Sequence, residues 1–416
     1  FALQFLLVAA SMFMDVKTGA FTLILVLIMT FVILVRCSSQ GFDMSRAKNG
    51  MMCLFAVTGV FYFLEIANPN NVQAAWNIGI THYWLYPFAL SLIVPIAIRD
   101  RKGIEWLLFI WSVFILIATL KGYWQKNHGF SVRDRYFLFV LGGYRTHIIW
   151  SGIRYFSFFS DAANYGVHCA MALTTFLISA FYVRRGWMKI YFILIALGAA
   201  YGLGISGTRA AMAVPLSGML VYAVLSKSWK SIIISFVAVG AIFSFFYFTT
   251  IGSSNQYIRK MRTAFRPTED ASYNVRVENR KRFAYYLKDR PFGVGVGGSV
   301  VDKEELMKLD EPYIPTDSFY VGIWVQGGIV GLCLYLTIQV LVLLRCCYLL
   351  MFRIKNEQLA RILAALLCGV FGLWLNGYVG DGMGFLPGSF LIALFLSFVL
   401  NGTYLDKQLN KNEIIA

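Results

Sequence analysis

Residues 190–226 read IYFILIALGAAYGLGISGTRAAMAVPLSGMLVYAVLS. Two apolar runs, at about 190–206 and 209–226, meet with almost no loop between them. The junction Ser206-Gly-Thr-Arg209 puts a guanidinium at their shared end. A run of roughly 20 apolar residues is long enough to cross the ~30 Å hydrocarbon core as a helix. Backbone polar groups in lipid must be satisfied internally, and a helix does this segment by segment. Comparable runs recur at roughly 1–15, 20–35, 50–67, 83–98, 104–120, 162–182, 231–250, 318–344, 359–379 and 385–401. The pattern predicts an all-α polytopic membrane protein with about 12 transmembrane helices in a single integral domain, 1–416. Repeated runs of this length exclude a β-barrel.

Composition agrees. Hydrophobic residues make up 58% of the chain, charged residues 14%, and mean hydropathy is +0.65. A soluble domain carries about 25% charged residues. The net charge of +16 would suggest nucleic acid in a soluble protein. Here most Lys and Arg flank spans and face anionic lipid, so membrane lipids are the expected partner and nucleic acid is not. All seven Cys lie in or beside apolar runs, so no disulfide framework is implied. His82, His128, His147 and His168 are scattered without metal spacing, and neither metal nor cofactor is expected. No cleavable signal peptide is visible. The chain begins at Phe1, and its first run is short, so upstream residues are expected.

Short loops decide orientation. One alternating set carries Arg36, Arg46, Lys48; Arg99, Arg101, Lys102; Arg184, Arg185, Lys189; Lys227, Lys230; and Arg345, Arg353, Lys355, Arg361. The opposite short loops hold almost no basic residue, with Lys17 alone in the first. The basic set is therefore expected in the cytoplasm with both termini. Two long segments, 122–160 and 251–316, then face outward. The first is basic and aromatic, as in Arg154-Tyr-Phe-Ser-Phe-Phe159, and suggests an interfacial helix. The second holds ten Lys/Arg against four acids between Ile251 and Arg290. Outward positive charge does not set orientation, so an anionic head group at the membrane surface is the expected reason for it. Lipid anchoring competes with that reading for most single residues.

Several residues are candidates for chemistry. An ionisable residue as close to hydrocarbon as Arg209 points to function before snorkelling, because the small residues around it admit a ligand. Arg276, Arg280 and Arg282 fall on a predicted helix, Val275–Lys288, where the first two share a face. Guanidinium forks suit phosphate oxygens, and a solvated basic face explains the same spacing equally well. The turn Pro291-Phe-Gly-Val-Gly295-Val-Gly-Gly298 is no P-loop, because no Lys-Ser/Thr follows. Asp317 opens the next span, as a helix N-cap or as a general base. Asp161 and Asn164 open another span in the same way, and Asp381 is a further outward carboxylate.

Taken in order, these pieces resemble the O-antigen ligase/polymerase superfamily. The resemblance rests on Arg154 through Asn164, Ser206-Gly-Thr-Arg209, Arg276 through Gly297, and Asp317 through Gly331. It implies a glycosyltransferase C-type membrane fold. It also implies a donor glycan on undecaprenyl diphosphate at the outer face of the bacterial cytoplasmic membrane, used without nucleotide sugar or metal. Arg209 and Arg276 are the matching positions that would hold the diphosphate, with Arg154, Arg280, Arg282, Asn164 and Gly295 as further substrate-binding candidates. Asp317 would take the acceptor's proton. Ligases of this family typically carry His-Asn where this chain has Asp317-Ser318, which favours a polymerase acting on an acceptor glycan. A ligase acting on lipid A-core or another acceptor stays open. A lipid-linked glycan transporter would need charges near the bilayer midplane and repeat symmetry, and the sequence offers neither. A non-enzymatic scaffold would not require Arg209 where it is.

Overall fold

The computed structural model describes residues 18–39, 50–98, 102–149, 152–266, 271–297, 315–384 and 387–415. The expected first span, Gly298 and the rest of the long loop to 314 lie outside the described residues. The helices are α1 (Thr18–Ser39), α2 (Gly50–Leu64), α3 (Gln73–Ile80), α4 (Tyr86–Ala97), α5 (Lys102–His128), α6 (Ala162–Ala180), α7 (Gly186–Ser206) and α8 (Ala213–Leu225). They continue as α9 (Trp229–Phe248), α10 (Gln256–Arg262), α11 (Ala271–Tyr286), α12 (Phe319–Tyr348), α13 (Glu357–Asn376), α14 (Gly388–Leu400) and α15 (Gly402–Ile415).

Among the described residues, five helical stretches are long and apolar enough to cross a membrane: α5, α7, α9, Phe319–Arg353 and α13. A sixth is added if α14 and the start of α15, bent by 47° at their junction, count as one. The described residues fit an all-α, multi-pass membrane protein, and among them the expected count of about twelve spans is not confirmed. Four further apolar helical stretches, Ile24–Val35, Cys53–Ala67, Tyr83–Ala97 and Arg209–Leu225, are shorter. With 13 residues, α8 is about 20 Å long at 1.5 Å per residue, less than the ~30 Å core. The 19 residues of α6 include Asn164, His168, Thr174 and Thr175. These polar groups are tolerated because protein, not lipid, surrounds them: all four are at most 2% exposed.

The centre of the bundle is α6, packed against α7, α8 and α13. Association in lipid depends on close packing and on small residues that let backbones approach. Gly202 in α7 illustrates this, since a Cβ there would lie 2.6 Å from the Tyr165 hydroxyl and 2.7 Å from Cys169 Sγ. Aromatic contacts extend the core outward. Trp111 of α5 meets Phe176 of α6 and Phe395 of α14, each at 4.9 Å between ring centroids. By contrast α9 is peripheral, with Ile234, Phe236 and Val237 exposed as a lipid-facing surface requires.

The segment 122–160 is not the single interfacial helix that its composition suggests. Instead α5 runs on to His128, and Ser131 caps a short turn, Val132–Arg135, through a capping box with Asp134. Lys121 pairs with Asp134 at 3.2 Å. A two-residue hairpin follows, β1 (Ile148–Ile149) with β2 (Gly152–Ile153), in register Ile148 to Ile153. Arg154 follows β2 and donates to Ser206 O at the end of α7 at 3.3 Å.

The glycine-rich turn has a structural partner. Gly328 breaks α12 with φ 62° and ψ −165°. Val294 and Gly295 donate to the carbonyls of Val325 and Gln326 at 2.9 and 3.0 Å, and Val330 N–H donates to Pro291 O at 3.2 Å. Gly293, Gly295 and Gly297 all have positive φ, which side chains disfavour. Asn68 fixes the turn from α2's end by donating to Phe292 O at 3.1 Å.

Candidate functional site

A cavity of about 450 Å³ opens where one end of α6, α7, α8 and α13 meets α10 and α11. Arg154, Arg209, Arg276 and Lys260 line it, together with Tyr273, Asn376 and Asp381. Four described basic residues of the short loops lie elsewhere. Lys102, Arg184 and Arg185 share a separate crevice between α5, α7 and α13, and Lys227 reaches Met351 O.

The turn after α7 is the keystone. Gly207 ends the helix in the left-handed conformation, as helix C-termini commonly do. A Cβ at Gly207 would lie 3.1 Å from Lys260 Nζ and 3.4 Å from Arg154 Cγ, so glycine allows two cations to close on the backbone. Thr208 links two helices, donating from Oγ1 to Ala162 O at 2.8 Å and accepting from Arg154 Nη2 at 3.1 Å. Arg154 also donates to Ser206 O and Thr146 O, both at 3.3 Å. Arg209 donates to Thr263 Oγ1 at 2.9 Å, and Thr263 donates to Lys260 O at 2.9 Å. The arginines are thus held by side chains and carbonyls, which fixes their direction.

Electrostatics shows the cost of this crowding. Burial, then the charges of Arg154 and Arg209, pulls the Lys260 ammonium down to about 8. Burial also weakens the hold of Arg154 on its proton. Asp161 opposes this, while Arg209 and Arg276 reinforce it. Like charges in a low-dielectric site favour an anionic ligand that neutralises them. Asp381 responds in the opposite sense: burial, with the carboxylates of Asp161 and Asp317, pushes its carboxyl up to about 7 against the pull of the Gly384 N–H.

The candidates read from sequence divide. Arg154, Arg209 and Arg276 line one cavity. Arg280 stands behind it, 4.6 Å from the Tyr378 ring centroid and 5.9 Å from that of the lining residue Tyr273. Arg282 is exposed, on a helix that begins at Ala271 and not at Val275. Asn164 is buried and donates to Ser160 Oγ at 3.0 Å, as part of the helix start that Asp161 caps. Gly295 belongs to the docked turn, where a Cβ would lie 2.9 Å from Asn71 Cα. Asp317 is exposed at φ 48° and does not line the cavity, and the N-cap of α12 is Ser318.

Lys260, Tyr273 and Asn376 escaped the sequence reading. Lys260 was one of ten cations in its loop, with nothing local to mark it. The Asn376 side chain is 1% exposed, and its Nδ2 has no hydrogen-bond partner among the described residues. An unpartnered buried amide costs about 1–3 kcal/mol, and Asn376 is among the residues lining the cavity.

A multi-pass helical membrane protein with a cationic cavity at one end of its bundle is the class that the geometry defines. Residues 192–336 match the family model described as O-Antigen ligase. Over that segment, about a third of the chain, the sequence is similar to O-antigen ligases. A comparison with curated proteins finds no match. The matched segment holds Arg209, Lys260 and Arg276; Arg154, Asn376 and Asp381 come from outside it.

Proposed function

We propose that this protein transfers a glycan from an undecaprenyl-diphosphate-linked donor to an acceptor glycan at the outer face of the bacterial cytoplasmic membrane. The observation that carries this reading is the meeting of Arg154, Arg209, Lys260 and Arg276 around one cavity. The four cations come from three separate stretches of chain and face a space suited to a diphosphate with its first sugar. In this reading the diphosphate lies against Arg209 and Arg276, with Arg154 and Lys260 completing the cradle. Cations fixed in advance stabilise the charge that grows on the leaving diphosphate, which is electrostatic catalysis without metal. A carboxylate beside the cavity takes the acceptor's proton. The segments 122–160 and 251–316 act as the outer cover, with both termini in the cytoplasm. The Asp317-Ser318 pair favours a polymerase over a ligase.

Deletion in the source cells, followed by analysis of surface glycan, tests this. Loss of long glycan with one repeat retained on its acceptor identifies a polymerase. Accumulation of full-length lipid-linked glycan identifies a ligase. Unchanged glycan overturns the reading.

A further inference from the structure

The cationic residues of the cavity account for the leaving group and leave the nucleophile without a partner. The turn between α13 and α14 brings two groups of another kind. Asp381 is the one carboxylate among the described residues that line the cavity. Asn376, five residues earlier at the end of α13, adds its buried and unpartnered amide nitrogen. Both lie beyond residues 192–336. Asp317 is close enough to act on Asp381 electrostatically, yet it is exposed and outside the lining.

Resting on the transferase reading, we propose that Asp381 is the catalytic base and that Asn376 holds the acceptor hydroxyl toward it. The acceptor is a sugar hydroxyl, which offers one proton to Asp381 and one lone pair to the Asn376 N–H. Its oxygen attacks the anomeric carbon of the donor. The new carbon–oxygen bond forms as the bond from that carbon to the diphosphate oxygen breaks. The electron pair leaves with the lipid diphosphate, which the arginines hold, and the hydroxyl proton passes to the Asp381 carboxylate.

Placement supports this division of labour. A carboxylate paired directly with an arginine is a poor base, because the cation stabilises its charged form. The charges that act on Asp381 are those of two other carboxylates, Asp161 and Asp317. Together with burial they keep it basic near neutral pH, where a general base works best.

The test compares Asp381→Asn, Asn376→Ala, Asp317→Asn and Arg276→Ala in the full chain. Glycan product is measured in the source cells, and binding of undecaprenyl diphosphate is measured on protein purified in detergent. Asp381→Asn is expected to lower product by about 100-fold or more, the usual scale of general-base loss, while binding undecaprenyl diphosphate within about threefold of wild type. Asn376→Ala is expected to lower product roughly tenfold with binding retained, about the value of one hydrogen bond to a ligand. Arg276→Ala loses binding. Full product from Asp381→Asn overturns the proposal, as does product lost from Asp317→Asn alone. So does loss of undecaprenyl diphosphate binding in Asp381→Asn, since the carboxylate then serves the donor site or the fold. Wild-type protein that fails to bind undecaprenyl diphosphate overturns the transferase reading itself.

Discussion

Arg154 Nη2 donates to the hydroxyl of Thr208 at 3.1 Å, joining the hairpin before α6 to the turn after α7. The same hydroxyl donates to Ala162 O at 2.8 Å. One threonine therefore fixes the start of α6, the end of α7 and the direction of a guanidinium. The neighbouring Gly207 leaves room for Lys260 beside them. This local cross-link holds Arg154 in place beside Lys260.

Arg209→Ala and Arg276→Ala should each reduce glycan product by about 100-fold or more, the scale seen when one preorganised charge donor is removed from a developing anion. Membrane abundance should stay near wild type. Immunoblotting of membranes beside glycan analysis checks this, and normal glycan from both variants would exclude the cradle.

Lys260 gives the donor site a pH limit. Its ammonium is held down to about 8 by burial, Arg154 and Arg209. The charged form predominates below that pH and is lost as pH rises through it. Affinity for undecaprenyl diphosphate should therefore fall between about pH 7 and 9 in the wild type. Lys260→Met should bind more weakly by about tenfold or more at pH 7, in line with the ~1.5–3 kcal/mol of a hydrogen bond to a charged group, and the decline through pH 8 should disappear.

Asp381 sets the opposite limb for turnover. Its carboxyl lies near 7, raised by burial and by Asp161 and Asp317, with Arg154, Lys260 and Arg276 elsewhere on the cavity wall. A base must be ionised, so product formation should rise with pH through about 7 and then level. The rise should be absent from the residual activity of Asp381→Asn. Initial rates in membrane vesicles across pH 5.5–8 measure it, and a wild-type rate flat over that range would contradict the role.

Gly295→Ala tests the docked turn separately from the chemistry. Gly295 has φ 101°, and a Cβ would approach Asn71 Cα to 2.9 Å. The substitution should destabilise the protein by about 1–3 kcal/mol, seen as a lower unfolding temperature in detergent. The folded fraction should bind undecaprenyl diphosphate as the wild type does, because Gly295 does not line the cavity.

Three of the arginines that line the cavity were legible in the chain. Arg209 stood out because a charge between two apolar runs is expensive, and that expense is a local property. Arg276 stood out less, through its place ahead of the glycine motif. Asp381 was visible only as one more outward carboxylate, and Asn376 not at all. Their relation to Arg154 spans more than 200 residues and exists only once α13 packs between α6 and α8. Asp317 shows the converse. Its position at the start of a span offered a helix N-cap or a general base, but the cap is the buried Ser318 and Asp317 is exposed.

The sequence by itself determined that the chain is helical and enters the membrane. Each apolar run satisfies its own backbone and carries its own transfer free energy, so a window of about 20 residues holds the information. It did not determine how many helices reach full span length, or which groups meet in the cavity. Lipid tails are as apolar as the side chains they touch, so burial of apolar surface does not choose helix partners. Close approaches such as Gly202 on Tyr165 and cross-links such as Thr208 to Ala162 make that choice, and they depend on shape across distant segments. Only the tertiary structure could therefore bring Lys260, Asn376 and Asp381 to the arginines.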